Sequence, residues 1–139
     1  MRERLLIAAL GVLMIGCGKQ TVSSADCEES PTIAISMVEL ILNGQAYEGS
    51  CISATGYLSH HNPRLYLTKD HSLINDSLSS IYIVDRTEEG DVHQNCGDNY
   101  VTVTGRLVAI SKISVGIDEI KSVFKYGEIE GSGYCYGNI

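Results

Sequence analysis

The sequence predicts a small, mainly β domain, a five-stranded barrel with one short helix ahead of its first strand. Three observations carry this expectation. After Gly49 the apolar residues recur with a period of two, the spacing of a half-buried strand. Clusters of turn-forming residues cut the pattern into short runs. Glycines stand inside two of those runs, where a strand must bend or be closely approached. A chain of 139 residues, 44% hydrophobic and 19% charged, is sized for one domain and too apolar for a disordered tail. Its fourteen glycines argue against a helical bundle or coiled coil.

The helix comes first. Ser36-Met37-Val38-Glu39 matches a capping box, in which the serine hydroxyl satisfies an orphan amide and the glutamate reaches back. Met37, Val38, Leu40, Ile41 and Leu42 supply its apolar face, and Asn43-Gly44 a left-handed stop. At about two turns it needs a sheet to pack on. The first strand places Ile52, Ala54, Gly56 and Leu58 on one face and Cys51, Ser53, Thr55 and Tyr57 on the other. His60 to Pro63 turns the chain into a second strand, Arg64 to Thr68, with Leu65 and Leu67 inward. A polar connection from Lys69 to Ser79 leads to the third strand, Ser80 to Asp85, with Ile81 and Ile83 inward. Arg86 to Asn99 is acidic and Gly-bearing, a surface loop with room for a helical turn. The fourth strand, Tyr100 to Ala109, buries Val101, Val103 and Leu107, and a fifth lies within Val115 to Tyr126.

The first seventeen residues have a different character. Arg2 and Arg4 precede an apolar stretch from Leu5 to Ile15, about half of the roughly 20 residues a membrane-spanning helix needs, and this reads as a secretory signal. Its end, Leu13-Met14-Ile15-Gly16-Cys17, resembles the lipobox of bacterial lipoproteins, whose cysteine is diacylated before cleavage. The resemblance implies a signal peptide at 1–16, lipidation at Cys17 and attachment to a membrane, since several acyl chains on one residue give stable anchoring where one does not. Gly18 rather than Asp follows the cysteine, which by the same resemblance favours the outer over the inner membrane. Residues 17–30 form a polar tether and 31–139 the folded domain.

Ala54-Thr55-Gly56-Tyr57-Leu58 and Val103-Thr104-Gly105-Arg106-Leu107 share a pattern, and small barrels bend their strands at such glycines. Five short strands with bends in the first and fourth resemble the oligonucleotide/oligosaccharide-binding (OB) fold. The series from Ser36-Leu42 through Tyr47-Glu48-Gly49 and Leu65-Tyr66-Leu67 to Tyr100-Gly105 is similar to small envelope lipoproteins carrying such a barrel and no assigned activity. With Cys17 committed to lipid, Cys27, Cys51, Cys96 and Cys135 remain, an even number in an oxidising compartment, and imply two disulfides. Three pairings are possible. In the OB-like barrel the starts of the first and fourth strands lie at opposite ends, which separates Cys51 from Cys96; Cys27 with Cys51 and Cys96 with Cys135 is the least strained pairing.

No catalytic set, cofactor or metal site is predicted. His93 and Cys96 have ligand-like spacing without a second pair, and the adjacent His60 and His61 point to opposite faces of a strand. The acidic clusters Glu88-Glu89-Gly90-Asp91 and Asp118-Glu119 lack the spacing of a calcium loop and read as solvated. A formal net charge of -7 counts against nucleic acid. Tyr57, Tyr66, Tyr82 and Tyr100 fall on the outward register of four strands, among Thr68, Thr102, Thr104 and Arg106, a face suited to stacking on sugar rings or a peptide. The expected function is a membrane-tethered, non-enzymatic binding or interaction module whose partner is an envelope protein or glycan. The alternative is a small envelope hydrolase acting on glycan or peptide through carboxylates such as Asp85 and Glu88.

Overall fold

The computed structural model describes residue 27, residues 29–127 and residues 131–137. The proposed signal peptide, Cys17 and nearly all of the tether lie outside the described residues. Within them the chain forms β1 (Ile33–Ala34), α1 (Met37–Asn43), β2 (Cys51–Leu58), β3 (Arg64–Tyr66), α2 (Lys69–Leu73), β4 (Ser80–Ile83), α3 (Asp91–Cys96), β5 (Asn99–Ala109), β6 (Val115–Tyr126) and β7 (Gly133–Tyr136).

Five strands close a barrel in the order β2-β3-β4-β6-β5 and back to β2. All neighbours are antiparallel except β4 and β6, which run parallel. With α3 between the third and fourth barrel strands, this is an OB-like barrel. The inward set is the predicted one except for Leu67, which lies past the end of β3 and is only half-buried: Ile52, Ala54, Leu58, Leu65, Ile81, Ile83, Val101, Val103 and Leu107 are buried, joined by Ile117 and Val123 from β6. Gly56 and Gly105 mark close approaches. A Cβ on Gly56 would lie 2.6 Å from the Tyr66 carbonyl oxygen, and one on Gly105 would lie 2.7 Å from Ile117 Cγ2, where the β5–β6 register shifts.

Two strands lie outside the barrel and escaped the period-two reading. β1 has only two residues, paired parallel to Ile52 and Ser53 of β2. β7 pairs with the second half of β6 and is tied to α3 by the Cys96–Cys135 disulfide. The other bridge, Cys27–Cys51, fixes the incoming chain to the start of β2. Both pairings agree with the sequence expectation.

α1 departs from expectation in three ways. Ser36 caps it, accepting from the Glu39 amide at 3.1 Å, but the Glu39 carboxylate does not complete a capping box; it accepts from Asn43 and from the Tyr47 hydroxyl. Only Met37 and Leu40 are buried, because two turns present one narrow stripe to the barrel, and Val38 and Leu42 face solvent. Gly44 is no left-handed stop: it is right-handed and opens a 3-10 turn, Gly44–Tyr47. Glycine is needed there for closeness, since a Cβ would sit 2.7 Å from Val115 Cγ2. The left-handed turn comes instead at Gly49, φ 84°.

Candidate functional site

β-strand register puts the four predicted tyrosines on the outer face. Tyr57 pairs with Tyr66 on one side and Tyr100 on the other, and Tyr82 pairs with Arg64. Their exposure differs from expectation. Tyr66 is 1% exposed and Tyr57 8%, because the Lys69–Ser79 connection is not an open loop: α2 folds back against β2 and β3. Thr68 caps α2, and the Lys69 amide donates to the Tyr100 hydroxyl at 3.2 Å. Tyr57 meets the Tyr100 ring edge-on at 5.3 Å, and burial, with Asp98 and Tyr100 nearby, pushes its phenol pKa up. Tyr66 and Tyr57 are therefore closed to a ligand, whereas Tyr100 stays open. Tyr82 is half-buried under the Arg64 guanidinium, 4.0 Å from its ring centre.

The open aromatic surface lies on β5, β6 and β7, and of the four predicted tyrosines only Tyr100 belongs to it. Tyr100 pairs with Tyr126 and Thr102 with Phe124 across β5–β6, and Phe124 pairs with Tyr134 across β6–β7. Phe124 meets Tyr126 and Tyr134 edge-on, with ring centres 5.1 Å apart in both cases. Beside the rings runs a hydroxyl chain: the Tyr126 hydroxyl lies 2.9 Å from Thr102 Oγ1, which lies 2.7 Å from Thr55 Oγ1. Tyr100, Tyr126 and Tyr134 are each about half exposed, at 41%, 47% and 50%. The strip is held by β-pairing on both sides of β6 and by the disulfide that fixes β7. Phe124 and Tyr126 fall within the predicted fifth strand, whose register the sequence left unassigned; Tyr134 was not legible, because its four-residue strand opens on Gly133 and is followed by Gly137.

A second concavity, about 830 Å³, lies at the barrel end crossed by α1. It is lined by α1 and the turn after it, by Arg64, Ser80 and Tyr82 of β3 and β4, and by the β5–β6 hairpin at Ser111–Ser114. The Gln45 side chain bridges its two walls by donating to the Lys112 and Ser111 carbonyls.

Asp85, Asp118, Glu119, His60, His93 and Cys96, considered for catalysis or metal binding, make contacts within the scaffold. The Asp85 carboxylate accepts from the Thr87 hydroxyl at 2.6 Å and from the Thr87 and Val92 amides at 3.1 Å, holding the start of α3. Burial opposes its ionisation, but these hydrogen bonds outweigh burial and keep its pKa below the ordinary value. Asp118 is not solvated as expected. It is buried and takes both arms of Arg86, at 2.7 and 2.5 Å, and its carboxyl is held low by that pairing. Glu119 pairs with Arg106 at 2.8 Å. Cys96 is committed to its disulfide, and the His93 Nδ1–H donates to the Ser59 carbonyl at 3.1 Å. The His60 Nδ1–H donates in turn to the His93 carbonyl, so the histidines join the β2–β3 turn to α3. Among the described residues no group of three or more His, Cys, Asp or Glu is placed to hold a metal ion, and no helix is long and apolar enough to cross a membrane.

No protein-family model matches the chain, no curated protein matches it, and no solved structure matches it.

Proposed function

We propose that this protein is a lipid-anchored, non-enzymatic binding module of the bacterial cell envelope that holds a glycan chain on its outer aromatic strip. The lipobox-like segment ending at Cys17 supports the anchor, and Gly18 after it supports the outer membrane. The observation that carries the binding reading is the continuous Tyr100-Tyr126-Phe124-Tyr134 surface, flanked by the Thr55-Thr102-Tyr126 hydroxyls. Aromatic rings offer a sugar an apolar contact, and neighbouring hydroxyls exchange hydrogen bonds with its own. The surface is built on paired strands, so little ordering entropy is lost when a ligand settles on it. Asp85, one of the two carboxylates named for hydrolysis, is engaged by the Thr87 hydroxyl and the Thr87 and Val92 amides at the start of α3, which favours binding over turnover.

The test is retention on purified cell-wall sacculi, which present glycan strands and stem peptides together. Tyr126→Ala and Tyr134→Ala should each weaken retention by the equivalent of about 0.5–1.5 kcal/mol, a few-fold, and the pair by more, with the fold unchanged. Competition by free stem peptide and not by soluble glycan fragments would reassign the ligand to peptide. Unchanged retention of the double variant would refute the strip as the binding surface.

A further inference from the structure

The barrel end crossed by α1 carries a second unpartnered surface of different chemistry. Leu42, Leu78 and Ile113 are 72%, 83% and 93% exposed, come from three separate segments, and line the same cleft. Isolated exposed apolar residues need no explanation, but three converging on one concavity mark a contact surface. The cleft's charged side chains have one sign. In a chain with 17 acidic and 10 basic residues, no Asp or Glu lines it, whereas Arg64 and Lys112 do. Arg64 is held on the Tyr82 ring by neutral oxygens, Ser80 Oγ at 2.9 Å and the Ser77 carbonyl at 3.5 Å, and pairs with no carboxylate among the described residues.

The position of this surface in the fold identifies its occupant. β2, β4 and β6 all start at this end and β5 finishes there. The Cys27–Cys51 bridge brings the incoming chain to that end. Only nine residues separate Cys17 from Cys27, a span of at most about 35 Å when fully extended. The aromatic strip points the other way, for Tyr100 opens β5 and Tyr126 closes β6.

We infer that the α1 end of the barrel docks on the surface of the membrane that anchors the chain, with Leu42, Leu78 and Ile113 entering the headgroup boundary and Arg64 and Lys112 facing anionic headgroups. Aliphatic tips flanked by cations are the chemistry of interfacial binding, and each cation near an anionic surface adds to it. The direction of docking rests on the anchoring proposed above. Its consequence is orientational: the tethered barrel stands with its aromatic strip turned away from the bilayer.

The chain has no tryptophan, so one introduced residue reports alone. Full-length protein carrying Ile113→Trp or Tyr134→Trp is mixed with vesicles of phosphatidylethanolamine and phosphatidylglycerol, with and without brominated chains, and acylation is read separately by mass. The expected result is a blue-shifted Ile113→Trp emission lost on brominated vesicles, with the Tyr134→Trp emission unmoved. Acylated protein whose Ile113→Trp emission is no more quenched than Tyr134→Trp overturns docking and leaves the anchor standing. Quenching at position 113 in protein without acyl mass overturns the anchor and leaves docking standing.

Discussion

Replacing Cys96 and Cys135 together by Ala tests how the aromatic strip is held. The bridge closes a loop of sequence separation 39. The chain-entropy relation gives about 4 kcal/mol for a loop of that length, against about 3.5 kcal/mol for Cys27–Cys51 with its separation of 24. A small domain has about 5–15 kcal/mol in all, so the loss is large and survivable. The structure also says where it falls. Among the described residues β7 pairs only with β6 and packs against α3, while barrel closure runs through β2, β3, β4, β5 and β6. The variant should keep its barrel, lose about 2 M from its urea midpoint at a typical slope of about 2 kcal/mol/M, and release β7. Hydrogen exchange should show amides 133–136 unprotected while those of Val101 and Val103 stay slow. A loss below about 1 kcal/mol, with 133–136 still protected, would refute the reasoning and make strand pairing the tie that holds Tyr134.

Three further outcomes follow from particular contacts. Cys17→Ser should abolish acyl labelling and leave an uncleaved or soluble precursor, and acyl label persisting on that variant would contradict the anchor. Asp118→Asn should cost about 1–3 kcal/mol at neutral pH, since it halves a hydrogen-bonded charge pair that is part-exposed on its Arg86 side. The Asp118 carboxyl is held low by Arg86, so the contribution is complete above the unfolded value near 3.9 and is lost as pH falls through the folded value; urea midpoints of parent and variant should begin to converge below about pH 4 and meet once pH is below the folded value. Tyr66→Ala should destabilise by about 3–5 kcal/mol, like a core Phe→Ala and more than Val103→Ala, because its ring is shut beneath the 69–79 connection, and thermal denaturation separates the two.

The barrel was legible because its causes are local. Alternation in β2, β3, β4 and β5 set which residues point inward, and Gly56 and Gly105 flagged the places where strands come too close for a side chain. The cysteine pairing followed from which strand ends are near each other once the barrel is assumed. What escaped depends on distant chain. Nothing in Tyr57 or Tyr66 announces that α2 will cover them, and nothing in Gly133–Tyr136 announces a strand, since β7 owes its place to β6 and Cys96. Gly44 reads as a stop because Asn-Gly commonly is one; its role comes from Val115, seventy-one residues later. Of the aromatic strip the sequence reading named only Tyr100, for register was assigned to the first four strands and not to the fifth, and β7 was not foreseen.

The central claim is that a tethered barrel offers its β5–β6–β7 face to an envelope glycan. The most direct measurement is sacculus retention of the acylated parent beside Tyr126→Ala/Tyr134→Ala, with the unfolding midpoint of each recorded. The account predicts that the double variant unfolds like the parent and is released from sacculi several-fold more readily, and that soluble glycan fragments displace the parent. Parent and variant retained equally, or a parent that does not bind sacculi at all, would contradict it.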